Sequence, residues 1–319
     1  MIRWPDQDKF RGVIVGAAIG DAMGMPFQFL HPQVVRESFP SLPTTYHRAP
    51  EGHVNAALEK GQYTDETQLM TLTIEALIEK KAVDLQEVSS SMVRLFEGNE
   101  WVTPGRSILA ACRHLRKGVP WSEAGGYRDG SKPLAFVPPV VLFNFEDEEL
   151  ILRDSSTLAR LILVEPRVLT GCSCFGLLLK NILLCTHPDE LQPAVRKTAD
   201  VIGGHDPAFG EILQWVLSLL DADVWEGLQE LGTGYSVLES LFASLFVFLK
   251  YPADYQQAIS TIAYAGDNSD TTGFITGAIS GAFNGFGAIP ENLVAGLKDS
   301  QFFTDLADRF YSLLSSPLS

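Results

Sequence analysis

Apolar residues recur at helical intervals along nearly the whole chain. After GQYTDET, Leu69, Leu72, Ala76 and Leu77 fall at i, i+3, i+7 and i+8, with Glu75 and Glu79 left on the opposite side; this is the stripe of an amphipathic helix. The same period runs through 86–97, 105–117, 168–185, 190–202, 209–220, 236–249, 254–264 and 301–314. Proline and glycine interrupt it at 38–63, 118–140 and 203–207, which predicts loops there. Strand patterns are sparse: PLAFVPPVVLF at 133–143 has β-branched and aromatic content, but its prolines predict a buried loop or an edge. The expected fold is therefore all-α. No Ser/Gly-rich or charged linker divides the chain, so one compact helical domain over 1–319 is expected.

Two runs of glycine sharpen that picture. Gly12, Gly16, Gly20 and Gly24 recur at every fourth position, and Gly273, Gly277, Gly281 and Gly285 do the same. Each set lines one helix face, and glycine inside a helix costs about 1 kcal/mol against alanine. Close backbone approach at a helix crossing is a sufficient reason for accepting that cost; each stripe packing on some other helix is the alternative. If the two stripes meet antiparallel, Asp21 at the end of the first helix lies beside Asp267 and Asp270 at the start of the second.

Composition narrows the partners. The chain has 319 residues, 46% hydrophobic, and a formal net charge of −15. Such a balance argues against binding nucleic-acid backbones or anionic membranes, because both would be repelled. The opening MIRWPDQDKF has charges and a proline where a secretory signal has an apolar core, so a cytoplasmic protein is expected. The apolar stretches 161–185 and 235–249 carry charged or proline breaks and read as buried core helices rather than membrane spans. Cys112, Cys172, Cys174 and Cys185 lack paired spacing and read as buried thiols.

The candidate chemistry lies in two acidic clusters 202 positions apart, each at a predicted helix start: Thr64-Asp65-Glu66 and Asp267-Asn268-Ser269-Asp270-Thr271. Brought together they would form a cage of carboxylates and hydroxyls, hard oxygen donors suited to Mg²⁺ or Mn²⁺ rather than zinc. Helix capping is the competing reading, since Asp65 with Gln68 has capping-box spacing and Ser269 or Asp270 could cap the second helix. Capping uses one side chain per helix, however, and each cluster offers more donors than that.

These residues resemble the ADP-ribosylglycohydrolases. The likeness rests on an opening Gly-Asp-Ala-x-Gly-x-Pro at 20–26, Thr64-Asp65-Glu66-Thr67, and a closing Asp270-Thr271 followed by Gly277 and Gly281. The helix-like WVTPGRSILAACRHLRKGVPW, with Arg106, fits the same pattern. The resemblance implies two magnesium ions, with Mn²⁺ as an alternative, held by Thr64, Asp65, Glu66, Asp267, Asp270 and Thr271. It implies Asp21, Gln28, Asn268 and Ser269 as substrate-binding residues, and Asp65 or Glu66 as the general base. The implied reaction is hydrolysis of the bond between ADP-ribose and a protein side chain or small-molecule acceptor. Gln28, Glu66 and Asn268 stand where the pattern commonly carries an acid, an Asp and an Asp. A binding module with impaired chemistry and a structural protein are the two other readings, and the loop at 38–60 is a candidate lid.

Overall fold

The structure, a computed structural model, describes residues 4–315 of the 319. Among these residues there are 17 α-helices, five short 3₁₀ segments and no strand; a lone parallel bridge joins Gly126 and Leu163. The helices read from periodicity all form. Of the helices that periodicity did not announce, Glu148–Ala159 and Val224–Leu231 each begin behind an aspartate, Asp147 or Asp223, whose carboxylate accepts a first-turn backbone N–H.

At the centre, the helix Gln7–Gly24 crosses the helix Ser269–Asn284 antiparallel. The partners are Gly12 with Gly281, Gly16 with Gly277, Gly20 with Gly273, and Gly24 with Ser269. A Cβ built on any of the four N-terminal glycines would come within 1.9–2.5 Å of the opposing carbonyl oxygen, so the backbones touch with no room for even a methyl group. Gly285 departs from the expected stripe. The second helix ends at Asn284, and Gly285 takes φ +79° in the turn that follows it, against Asp8.

Around this pair pack Val237–Lys250, Tyr255–Tyr264, Ser300–Ser315 and Pro166–Leu184. By length and composition Pro166–Leu184 could cross a membrane, yet 72% of its apolar window is buried inside the protein. Lys180 on this helix is buried, and its Nζ lies 3.0 Å from Glu148 Oε1. All four cysteines are buried thiols.

The segment expected as a loop or strand edge at 133–143 is instead a 3₁₀ turn, Lys132–Phe136, running into a short α-helix, Val137–Phe143. Proline has no N–H to offer and a fixed φ near −65°, which suits the first turn of a helix. Pro133 and Pro138 occupy such opening positions, and the turn sets Lys132 at the floor of a cleft.

Candidate active site

Both acidic clusters arrive at the same end of the central crossing. The helix Asp65–Lys80 starts after Thr64, and its first turn is tied to the end of the first glycine helix by Asp21. The carboxylate of Asp21 accepts from Thr64 N (3.0 and 3.1 Å), Thr64 Oγ1 (2.8 Å), Thr67 N (3.1 Å) and Thr67 Oγ1 (2.6 Å). Burial, then the charge of Glu66, push Asp21 up to about 7 against the pull of those donors. Neither Thr64 nor Asn268, the residues preceding the two helices, makes a side-chain cap, so the surplus oxygens are not spent on capping.

Asp65, Glu66 and Asp270 each offer a carboxylate oxygen within 4.8 Å of the others, and all three are buried. Two helix N-termini point their positive ends at this cluster, which favours anions there. Thr271 Oγ1 donates to Glu66 Oε1, and Thr64 Oγ1 lies 2.7 Å from Glu66 Oε2. Asp270 accepts from Thr271 N at 2.8 Å and from the amide of Gln28. Gln28 in turn accepts from Asn55 Nδ2 at 2.9 Å, which also donates to Met25 O at 3.0 Å. The loop at 38–60 is thus anchored to the site through a fully buried side chain.

The remaining sequence candidates sit at the margin. Asn268 Nδ2 donates to Ser131 Oγ and Ser240 Oγ, both at 2.9 Å, and its Oδ1 faces Thr271 Oγ1 at 3.4 Å. Ser269 Oγ donates to Gly24 O at 2.7 Å, inside the helix crossing. Asp267 turns away from the three carboxylates, with φ +50° and its Oδ2 accepting from Thr233 Oγ1 at 2.8 Å. Its backbone is clamped to the opposite loop: Phe29 N donates to Asp267 O (2.7 Å) and Asp267 N to Leu30 O (2.8 Å).

Sequence reasoning missed Lys132. Its Nζ lies 2.8 Å from Asp65 Oδ1 and also contacts Glu66 Oε1, with the side chain only 13% exposed. Burial alone would lower the Lys132 pKa, but the charges of Asp65, Glu66 and Asp270 reverse this and keep it a cation. Burial likewise raises Asp65 and Asp270 well above the usual carboxylate range. Glu66 goes the other way: burial opposes it, but the Lys132 charge and its hydrogen-bond donors hold it at about 2. The second oxygen of Asp65 accepts from Gly105 N at 2.8 Å.

Above the cluster opens a cavity of about 650 Å³ whose floor includes Gln28, Gly105, Lys132 and Asn268. Its walls carry Arg106 and Arg128, and Phe29 and Tyr235 line it as a pair stacked on each other, with ring centroids 5.6 Å apart and planes 23° from parallel. Both rings are exposed. A cleft with buried acids below, cations on the wall and open aromatic faces suits an anionic, aromatic, hydroxyl-bearing ligand.

The chain matches the ADP-ribosylglycohydrolase family over residues 5–317, close to its full length. It belongs to that family. Among relatives, an uncharacterised protein of Archaeoglobus fulgidus is 27% identical over 96% of this chain and 97% of its own length. ADP-ribosylhydrolase ARH3 of Mus musculus is 24% identical, covering 89% and 86% of the two chains. ADP-ribosylarginine hydrolase Tri1 of Serratia proteamaculans is 22% identical, covering 95% and 79%. A solved structure titled ADP-ribosylglycohydrolase-related protein complex superimposes with a TM-score of 0.72 at 22% identity, covering 96% of this chain and 98% of that one. That likeness establishes the shared all-α fold. The oxygen donors of the acidic cluster fit a hard divalent cation.

Proposed function

We propose that this chain hydrolyses the glycosidic bond linking ADP-ribose to a protein side chain or small-molecule acceptor, with a divalent cation, magnesium by donor type, in the acidic cluster. The observation that carries the reading is the meeting of Asp65, Glu66 and Asp270 beneath a cleft with arginines and open aromatic rings on its walls. The names of ARH3 and Tri1 point to the same reaction class.

The adenine would lie against Phe29 and Tyr235, the pyrophosphate near Arg106 and Arg128, and the distal ribose on the floor formed by Gln28, Gly105, Lys132 and Asn268. When bound, a divalent ion would supply an anchor for ribose hydroxyls and water. Glu66 has its oxygens engaged by Lys132, Thr271 and Thr64, and stays ionised as a fixed negative charge. Asp65 is the better proton acceptor, since burial raises it and it adjoins Gly105 and Lys132 at the cavity floor. Positive charge developing on the ribose carbon is offset by the carboxylates below it.

The test is release of ADP-ribose from ADP-ribosylated arginine, serine and small-molecule acceptors by the wild type, Asp65→Asn and Asp270→Asn. Turnover should vanish in both variants while circular dichroism and melting behaviour persist. Undiminished turnover in both would remove the proposal, and ADP-ribose binding without any product would favour the binding-module reading.

A further inference from the structure

A side-chain cation reaches two of the acids. The Lys132 ammonium contacts one oxygen each of Asp65 and Glu66, and the second Asp65 oxygen already accepts from Gly105 N. Both oxygens of Asp65 are thus engaged by the protein itself. The lysine stem leaves the turn Lys132–Phe136, which enters the core at Pro133 and Leu134, both buried. The side chain is therefore delivered from a packed element rather than from a loose tip.

Charge points the same way. Four buried carboxylates, Asp21, Asp65, Glu66 and Asp270, converge on this end of the crossing. Lys132 is the cation paired with them among the described residues. With all four ionised, one ammonium leaves three negative charges, which a single divalent ion reduces to one; two divalent ions would leave the buried cluster positive with the lysine still in place. Asn268, a neutral amide whose Nδ2 donates to Ser131 and Ser240, adds no charge. Buried charges persist where an opposite charge meets them.

We infer that the Lys132 ammonium takes the place of one of the two metal ions that the family resemblance implies, so that the cluster holds a single divalent ion on the Glu66–Asp270 side. Lys132 is then a positioning residue, fixing Asp65 as an ion would. The inference rests on the divalent-ion part of the proposed function, and its test separates the two.

Mn²⁺ serves as the probe. After equilibrium dialysis of the full chain, elemental analysis should count about one ion per wild-type chain and about two in Lys132→Met, where the two freed acids regain an ionic partner. Lys132→Arg should stay at the wild-type count. Electron paramagnetic resonance of wild-type protein, which needs no variant to fold, should show an isolated Mn²⁺ signal, and Lys132→Met an exchange-coupled pair. A coupled pair in the wild type, or no gain in Lys132→Met, overturns the inference while leaving the hydrolase reading intact. An absence of Mn²⁺ from every form removes both the inference and the metal-dependent mechanism.

Discussion

Gly20 and Gly273 lie so close that a Cβ on the first would sit 1.9 Å from the carbonyl oxygen of the second, and one on Gly273 would sit 2.2 Å from that of Gly20. The obstacle is main chain, which cannot turn aside as a flexible side chain can. Gly20→Ala or Gly273→Ala is expected to destabilise by about 3 kcal/mol or more, seen as a large fall in melting temperature or as insoluble protein. Gly126→Ala is the control, because nothing lies within 4 Å of the place its methyl group would take; a fall there equal to that of Gly20→Ala would refute the backbone-contact account.

Asn55 holds Gln28, and Gln28 holds Asp270. Asn55→Ala strips a donor from two buried acceptors, Met25 O and Gln28 Oε1. The expected loss is about 1–3 kcal/mol of stability, together with reduced kcat as Asp270 loses its fixed partner. Thermal unfolding beside steady-state kinetics checks both, and an unchanged kcat would show that the loop does not position the acid.

The legibility of this chain followed the range over which each signal acts. Glycine spacing and the Thr64–Glu66 and Asp270–Thr271 clusters are local patterns, and the structure places both clusters at one end of the crossing. Lys132 escaped because it is a single basic residue in a stretch interrupted by glycine and proline, where its meeting with Asp65 depends on a contact 67 positions away. The link between Gln28 and Asn55 has no periodicity to announce it. Asp267 looked equivalent to Asp270 in sequence, yet a left-handed backbone turn sends its carboxylate to Thr233. The short helix after Pro138 was obscured because proline ends a strand pattern but can begin a helix.

Phe29 and Tyr235 are two half-exposed rings stacked at the mouth of the cavity. If they receive the base of the substrate, Tyr235→Ala should raise KM about 10-fold, in line with about 1.5 kcal/mol for an aromatic pair, and leave kcat within about twofold. Michaelis–Menten analysis decides it: a drop in kcat at constant KM would place Tyr235 with the reacting bond instead.

Lys180 is buried with Glu148 as its carboxylate partner, itself also near Lys197 at 3.3 Å. Replacing a buried ammonium with a chain of similar volume removes a desolvation cost, so Lys180→Met should be within about 1 kcal/mol of wild type or more stable. Glu148→Gln leaves the lysine with a weaker partner and should be less stable by about 1 kcal/mol. The Glu148 pKa is lowered, chiefly by the Lys180 hydrogen bond. Its stabilising contribution is therefore present above the ordinary carboxylate range and is lost as pH falls through the lowered value. Denaturant melts from neutral to acid pH should show this loss in the wild type and less of it in Lys180→Met; equal acid sensitivity in both would contradict the assignment.

Since main chain rests on main chain at Gly12, Gly16 and Gly20, the interval between Asp21 and Asp270 works as a ruler cut into the backbone. Core side chains can be exchanged and surface loops lengthened during divergence without resetting it. Relatives only a quarter identical can therefore keep the same spacing of acids while their cleft walls, and the acceptors they take, drift apart.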